Sequence, residues 1–388
     1  MAVRKFKADQ IFTGYELLKG DNVLITDDSG KIIEILKEVD AGDEIEIYDG
    51  ILSPGFINCH CHLELSHMKD LIPEHTGLVD FILNVVNQRH FPEQQILQAI
   101  SMAEDEMMAN GIVAAGDICN NAYSLLQKTK GRIYYHNFIE SSGFNPAIAQ
   151  QRFQGSLEYF KAFAQYYSIP IESNSIVPHA PYSVVDELWD LIVNFPGNHL
   201  LTMHNQEADA ENQWFMDKTG EFSKLFGKMN LDTSFFQPTG KTSLQSTLSK
   251  FLPNQSVILV HNVHTSEEDL QAIELQAASR KLHWCLCPNA NKFINNELPD
   301  VDLFIKHNGE IVLGTDSLAS NHQLSILEEI KTIKQHFPNI QMKELLKWAT
   351  SNGAKALQMD KLLGDFEKGK QPGIILIDNT ITSVKRIL

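Results

Sequence analysis

Eight short apolar runs, each closing on a polar residue and each followed by enough chain for a helix, do most to limit what this chain can become. They lie at 51–60, 111–117, 132–140, 175–179, 199–204, 257–261, 282–287 and 311–316. Continuous apolar runs of this length are what strands of a parallel sheet covered on both faces require. Helical periodicity is clear in several of the intervals, over 94–110 (closing on Gly111), 150–164 and 184–194. Eight strand–helix units over roughly 265 residues match a (β/α)8 barrel. The expected fold is therefore α/β, a TIM-like (β/α)8 barrel.

The two ends of the chain have a different texture. Short β-like runs at 10–14, 22–26, 31–36 and 44–48, and again at 374–378 and 382–386, alternate with turn residues. Two or three strands are marginal alone, so both ends are expected to complete one small antiparallel β-sandwich. On this reading 1–52 and 360–388 make a composite β domain and 53–359 make the barrel. No repeat of 20 to 50 residues is present, which argues against a solenoid.

Charge and cysteine usage narrow the partners. The 32 basic and 49 acidic side chains leave a net charge of −17, a surface that repels phosphate backbones, so nucleic acid is not expected as a partner. No apolar run approaches the roughly 20 residues of a membrane helix. The basic start leads into no apolar signal core, so the expectation is a cytoplasmic chain with no membrane association. The five cysteines, Cys59, Cys61, Cys119, Cys285 and Cys287, contain no C-x-x-C pair and read as reduced thiols.

Polar residues collect at the C-terminal ends of the apolar runs: His60 and His62, Asp117, Glu140, His179, His204 and Glu207, His261 and His264, and Asp316. In a parallel barrel that face carries the active site. The joint placement carries the argument, because 15 histidines in 388 residues already produce about 0.6 His-x-His by chance. Residues i and i+2 of a strand share a face, so His60 and His62 point together while Cys59 and Cys61 point away. Two imidazoles with His204 and the Asp316 carboxylate would make an open N/O site for one divalent ion, Zn first, with Fe or Mn as alternatives. Taken singly, Asp316 also reads as a helix cap, Glu207 as a first-turn carboxylate and His179 as a packed histidine.

Several motifs occur in order: Pro54-Gly-Phe-Ile-Asn-Cys-His-Cys-His62, His204-Asn-Gln-Glu207, Val260-His-Asn-Val-His264, Cys287-Pro-Asn-Ala-Asn291, Leu313-Gly-Thr-Asp-Ser-Leu-Ala-Ser-Asn321 and the closing Gly364-Asp-Phe-Glu-Lys-Gly-Lys370. As an ordered set along the chain they resemble the amidohydrolase superfamily, in its cytosine deaminase-like and chlorohydrolase-like branch. The resemblance implies that His60, His62, His204 and Asp316 hold the metal and that His261 hydrogen-bonds the hydroxide nucleophile. It implies further that Glu207 protonates the ring nitrogen beside the attacked carbon, and that Asp316 carries a proton to the departing ammonia. The implied activity is hydrolysis of a non-peptide C–N bond, by deamination of an aminated heterocycle.

Binuclear members bridge two metals with a lysine on the fourth strand. None lies between Lys161 and Lys218 here, so a single metal is expected. The segment Leu63-Glu-Leu-Ser66 resembles aminodeoxyfutalosine deaminases more narrowly. With Pro178-His-Ala-Pro-Tyr182, similar to nucleoside deaminases, it marks Glu64 and His179 as substrate contacts. The expected substrate is a small adenine-type nucleoside such as aminodeoxyfutalosine, S-adenosylhomocysteine or methylthioadenosine, and similar enzymes are commonly homodimers. The same site would also serve a ring-opening cyclic amidohydrolase or a chlorohydrolase, and a non-catalytic scaffold is the third reading. Long connections at 63–93 and 208–255 are expected to wall the pocket. The second carries Trp214, Phe215, Phe222, Phe226, Phe235 and Phe236, which either stack on a purine or pack a small core of their own.

Overall fold

The computed structural model describes residues 3–165, 173–276 and 281–388. Eight strands form the inner layer: β6 (Phe56–Cys61), β7 (Ile112–Cys119), β8 (Tyr134–Ser141), β9 (Asn174–Pro178), β10 (Leu200–Asn205), β11 (Ser256–His261), β12 (Lys281–Leu286) and β13 (Glu310–Leu313). They pair in sequence as two parallel ladders, β6-β7-β8-β9 and β10-β11-β12-β13. Every residue of β6, β7, β10 and β11 is buried, as expected for strands covered on both faces.

The ladders meet at two seams, and site residues make the seam bonds. At one, His204 N donates to His179 O at 2.9 Å; at the other, Thr315 N and Asp316 N both donate to His60 O, at 3.0 and 3.1 Å. The main chain that closes the ring thus also sets where these side chains start.

The helices between the strands follow from spacing. Glu93–Ala109 buries Ile96, Ile100, Ala103 and Met107, one stripe at helical intervals. It ends at Gly111, whose φ of +76° is the left-handed conformation that a helix terminator needs. Ala149–Ala164 and Asp186–Val193 lie where the periodicity puts them.

The chain ends join in one seven-stranded sheet, ordered β15-β14-β5-β1-β3-β4 with β2 on the side of β1. Its strands are β1 (Val3–Phe12), β2 (Leu17–Lys19), β3 (Asn22–Asp27), β4 (Ile32–Lys37), β5 (Glu46–Pro54), β14 (Ile374–Ile377) and β15 (Val384–Arg386). Phe6, Leu24, Ile32, Leu52, Phe366 and Ile374 pack together as its core.

Two expectations need correction. The run 51–60 is not one barrel strand: Gly55 cuts it, leaving 51–54 in the end sheet. A Cβ at Gly55 would lie 2.3 Å from Val113 Cγ1 and 2.9 Å from Pro372 O, so only glycine lets the chain cross between the sheets there. Nor is the end sheet wholly antiparallel, because β1 and β5 run parallel.

The two long connections pack on each other over the barrel mouth. Met68, Leu78, Val79 and Phe81 from the first meet Trp214, Phe215, Phe222 and Phe226 from the second, with Tyr182 and Phe293. Trp214 stacks on Phe236 at 5.2 Å and Phe144 on Phe226 at 4.3 Å. Trp214, Phe215, Phe222, Phe226 and Phe236 therefore pack the insertions' own core, while Phe235 is exposed. All five cysteines are buried and free, and among the described residues no helix is long and apolar enough to cross a membrane.

Candidate active site

Strand alternation turns His60 and His62 inward and their flanking thiols outward. Cys61 Sγ lies 3.5 Å from Asp117 Oδ1 and Cys59 Sγ 3.8 Å from Gly353 O. His60 Nε2 stands 3.2 Å from His62 Nε2, and Asp316 Oδ1 stands 3.3 Å from each of them. Two imidazole nitrogens and a carboxylate oxygen thus converge within 3.3 Å of one another. Ligand atoms roughly 2.0–2.1 Å from a tetrahedral ion stand roughly 3.3–3.4 Å apart, so these three fit a single cation. Asp316 has a φ of +56°. Its other oxygen accepts from Ser320 Oγ at 2.5 Å, which fixes the carboxylate's orientation.

His204 is buried beside this group. Its Nδ1 is 3.1 Å from His261 Nε2, and its ligand atom lies within 4.8 Å of those of His60 and His261. Asn291 donates from Nδ2 to His261 Nδ1 at 2.9 Å, which leaves the proton of a neutral His261 on Nε2. Burial pushes His261 down to about 3 and His204 well below the ordinary histidine range, so both are neutral at neutral pH. Burial pushes Asp316 up, but the His60 hydrogen bond and the nearby His62 and His261 outweigh it and hold the carboxyl below its usual range.

Glu207 follows a turn in which Gln206 takes a φ of +46°. Gln206 is fixed from several sides: its N donates to Glu211 Oε1 at 2.9 Å, its Nε2 to Asp269 at 3.0 Å, and its Oε1 accepts from Thr265 at 2.7 Å. This clamp delivers Glu207 Oε1 to 3.6 Å from His261 Nε2. Burial first, then the neighbouring Asp316 and Glu211 carboxylates, push Glu207 well above the usual carboxylate range, so it carries its proton at neutral pH.

The other marked residues fall into three groups. His179 is half-buried, with Nδ1 2.7 Å from Ser183 Oγ and its ring 4.9 Å from that of His204. Glu64 is buried, and both of its oxygens accept from Asn120, at 2.8 and 2.9 Å. Burial pushes its carboxyl up to about 8. His264 lies outside the cluster, paired with Glu297 at 3.0 Å. Sequence reasoning gave no role to Glu140, to Glu211, or to Asn291 and Ser320, which lie inside quoted motifs. The signals were the placement of Glu140 at a strand end and the motifs that hold Asn291 and Ser320; Glu211 had none.

A model of the amidohydrolase family matches residues 51–387. The chain belongs to the amidohydrolase family. Among curated proteins, this amidohydrolase is 27% identical over 341 residues to the aminodeoxyfutalosine deaminase of a Nitratiruptor species, covering 85% of this chain and 79% of that protein. It is 26% identical over 371 residues to the 5-methylthioadenosine/S-adenosylhomocysteine deaminase of Saccharophagus degradans, covering 90% of this chain and 77% of that one. Among solved structures, Helicobacter pylori aminofutalosine deaminase in complex with methylthio-coformycin superposes with a TM-score of 0.81 at 21% identity, over 99% of this chain and 100% of that chain. Members of the family depend on a metal, and the converging His60, His62 and Asp316 atoms suit one.

Proposed function

We propose that this amidohydrolase removes the amino group of an adenine-type nucleoside by hydrolysis. One observation carries the reading: Glu207, buried and protonated, stands 3.6 Å from His261 Nε2 beside the convergent His60, His62 and Asp316 atoms. Deamination needs such an acid, because the ring nitrogen beside the attacked carbon must gain a proton as that carbon becomes tetrahedral. The relatives named above, and an adenosine deaminase from Helicobacter pylori at 25% identity, support the substrate class.

His60, His62, His204 and Asp316 would hold one divalent ion, and their three nitrogens and one oxygen suit zinc. When bound, such an ion lowers the pKa of water toward 7 and so supplies a nucleophile at neutral pH. The residues do the remaining work. His261, neutral and with its proton on Nε2, donates into the reaction centre. Glu207 gives its proton to the ring nitrogen. Asp316, held ionised by its histidine neighbours, accepts a proton and hands it to the leaving amine, so that ammonia departs neutral. Glu64, whose oxygens accept from Asn120, and His179 are the residues we assign to substrate contact.

The test is ammonia release by the zinc-reconstituted protein from adenine, guanine and cytosine bases, adenosine, methylthioadenosine, S-adenosylhomocysteine and aminodeoxyfutalosine. Release from a nucleoside, lost in Glu207→Gln with metal retained, is the expected result. A folded, metal-loaded sample silent on every nucleoside would overturn the reading.

A further inference from the structure

The residue before the proposed proton donor is bonded at every polar atom it has. Gln206 is fully buried, and its φ of +46° puts a side chain with a Cβ in the left-handed region. That conformation is disfavoured for such residues and persists only where the surroundings over-determine it. Here they do. Gln206 N donates to Glu211 Oε1 at 2.9 Å, and its O accepts from His264 N at 3.0 Å. Its Nε2 donates to Asp269 Oδ2 at 3.0 Å and to Asn212 Oδ1 at 3.1 Å, and its Oε1 accepts from Thr265 Oγ1 at 2.7 Å.

These partners reach Gln206 from two parts of the chain. His264, Thr265 and Asp269 follow β11, with Asp269 in the helix Glu267–Gln276. Glu211 and Asn212 lie in the helix Asp209–Asp217, where the second long connection leaves the barrel. The same side chains also hold the place where that connection returns. Ser243 Oγ donates to Glu211 Oε1 at 2.5 Å, Ser243 N to Asn212 Oδ1 at 3.2 Å, and Thr242 Oγ1 to Asp269 Oδ1 at 2.5 Å. Residues 213–241 therefore form a lobe whose two ends are tied to each other and, through Glu211, Asn212 and Asp269, to Gln206. The lobe carries Trp214, Phe215, Phe222 and Phe226, which pack on the first connection over the barrel mouth. Ties that served the lobe alone could end anywhere on the barrel rim, but these end on the residue that precedes Glu207.

We propose that Gln206 is a positioning residue for Glu207 and that the seated lobe sets it, so that covering the barrel mouth and aiming the proton donor are one event. The proposal rests on the nucleoside reading above, in which Glu207 protonates the ring nitrogen. Gln206 touches no reacting atom and acts through the main chain it shares with Glu207. A left-handed turn that loses its ties relaxes toward ordinary φ, and a rotation there swings the next side chain. Misplacement of a reacting group by about 1 Å can cost about 10²-fold in rate. An interaction made only as the ring nitrogen gains its proton is lost from kcat rather than from KM.

The test measures ammonia release by the full-length, zinc-loaded enzyme from whichever nucleoside of the panel above it turns over fastest. Thr265→Val removes the hydroxyl that binds Gln206 Oε1 and keeps the branched shape, and Ser243→Ala removes the tie between the lobe's returning end and Glu211. Each is expected to lower kcat about 10- to 100-fold with little change in KM. Thr265→Ser, which keeps the hydroxyl, is expected to retain most of the parent kcat. Placed on Glu207→Gln, neither Thr265→Val nor Ser243→Ala is expected to lower the residual turnover further, because a residue that acts only through Glu207 has nothing left to position. A merely structural role would cost the same factor with and without Glu207, and that result overturns the proposal. So does an unchanged kcat in both variants, a rise in KM at constant kcat, or a Thr265→Ser variant as slow as Thr265→Val. A fall in kcat from only one of the two sites overturns the part assigned to the other. Should one variant fail to fold, as thermal melting reports, the comparison with and without Glu207 stands on the other. If the unsubstituted enzyme releases ammonia from no nucleoside, the nucleoside reading has failed and this proposal falls with it.

Discussion

Asp117 and Glu207 are both buried carboxylates at the ends of barrel strands, and their surroundings are opposite. Asp117 lies 2.5 Å from Lys128 Nζ and accepts from Leu63 N at 2.8 Å, one residue after His62. Lys128 in turn donates to Asn137 at 2.7 Å. Glu207 has His261 Nε2 at 3.6 Å, and burial first, then two neighbouring carboxylates, push it well above the usual range. A buried acid whose charge is answered holds the scaffold, whereas one whose proton is retained by its surroundings is available for chemistry. The comparison breaks if the two respond alike to substitution.

The largest effect belongs to Glu207. Glu207→Gln is expected to lower ammonia release by about 10²- to 10⁴-fold, with thermal midpoint and metal content unchanged. More than a few per cent of residual turnover would remove Glu207 from the acid role. On the other side, Lys128→Met removes the buried cation paired with Asp117 and leaves it the Leu63 N–H. A loss of roughly 3–5 kcal/mol in unfolding free energy is expected from denaturant titration. Asp117→Asn added to it should recover much of the loss, and failure to recover would mean that Asp117 does more than pair with Lys128.

Asn291 sharpens the comparison because it acts through another residue. Asn291→Ala removes the donor that sets the proton position of His261. A fall in kcat of about 10- to 100-fold with little change in KM is expected, typical of lost partners behind a site histidine. The conservative Asn291→Asp should change the pH profile more than the rate at its optimum, which a purely packing role would not do.

The difference between these acids also explains what the sequence conveyed. The barrel was legible because parallel strands buried on both faces read as apolar runs, and the approach of His60, His62 and Asp316, with His204 beside them, because strand alternation and strand-end placement are local facts. The cut at Gly55 was hidden, since both sides of it are apolar and only the approach of Val113 and Pro372 reveals the crossing. The parallel β1–β5 pairing was hidden because it joins segments by tertiary contact. Asn291 and Ser320 lay inside quoted motifs, yet their roles, like that of Glu211, were not legible, because each acts through a bond that only the fold brings about. Asp117 and Glu140 looked alike in sequence, and only Lys128, 11 residues after Asp117, distinguishes them.

Glu211 gives the comparison a pH axis. Burial pushes its carboxyl up to about 7, against the hydrogen bonds from Ser243 and Gln206. Its folded pKa is above the unfolded value near 4.3, so the native state binds the extra proton between the two. Its contribution to stability is therefore full below about pH 4.3 and declines as pH rises to about 7, by at most about 1.4 kcal/mol per pH unit. Glu211→Gln should flatten that part of the profile in denaturant titrations of the metal-free protein. An unchanged slope would mean that Glu211 is ionised in the fold.

The smallest effect is expected where charges are neither buried nor isolated. Asp80, on the first long connection, pairs with Lys224 at 3.1 Å and Lys228 at 3.4 Å on the second. All three side chains are more than 40% exposed. Solvent and salt screen such contacts, so Asp80→Asn should change stability by less than about 1 kcal/mol, and less still in high salt. The apolar contacts of Phe81 and Phe226 in the same core, not the ion pairs, hold the two connections together. If Asp80→Asn instead raises KM severalfold at low salt with kcat unchanged, the ion pairs govern how these connections sit over the barrel mouth. The division between answered charges as scaffold and unanswered ones as function would then need a third class, exposed pairs that control access.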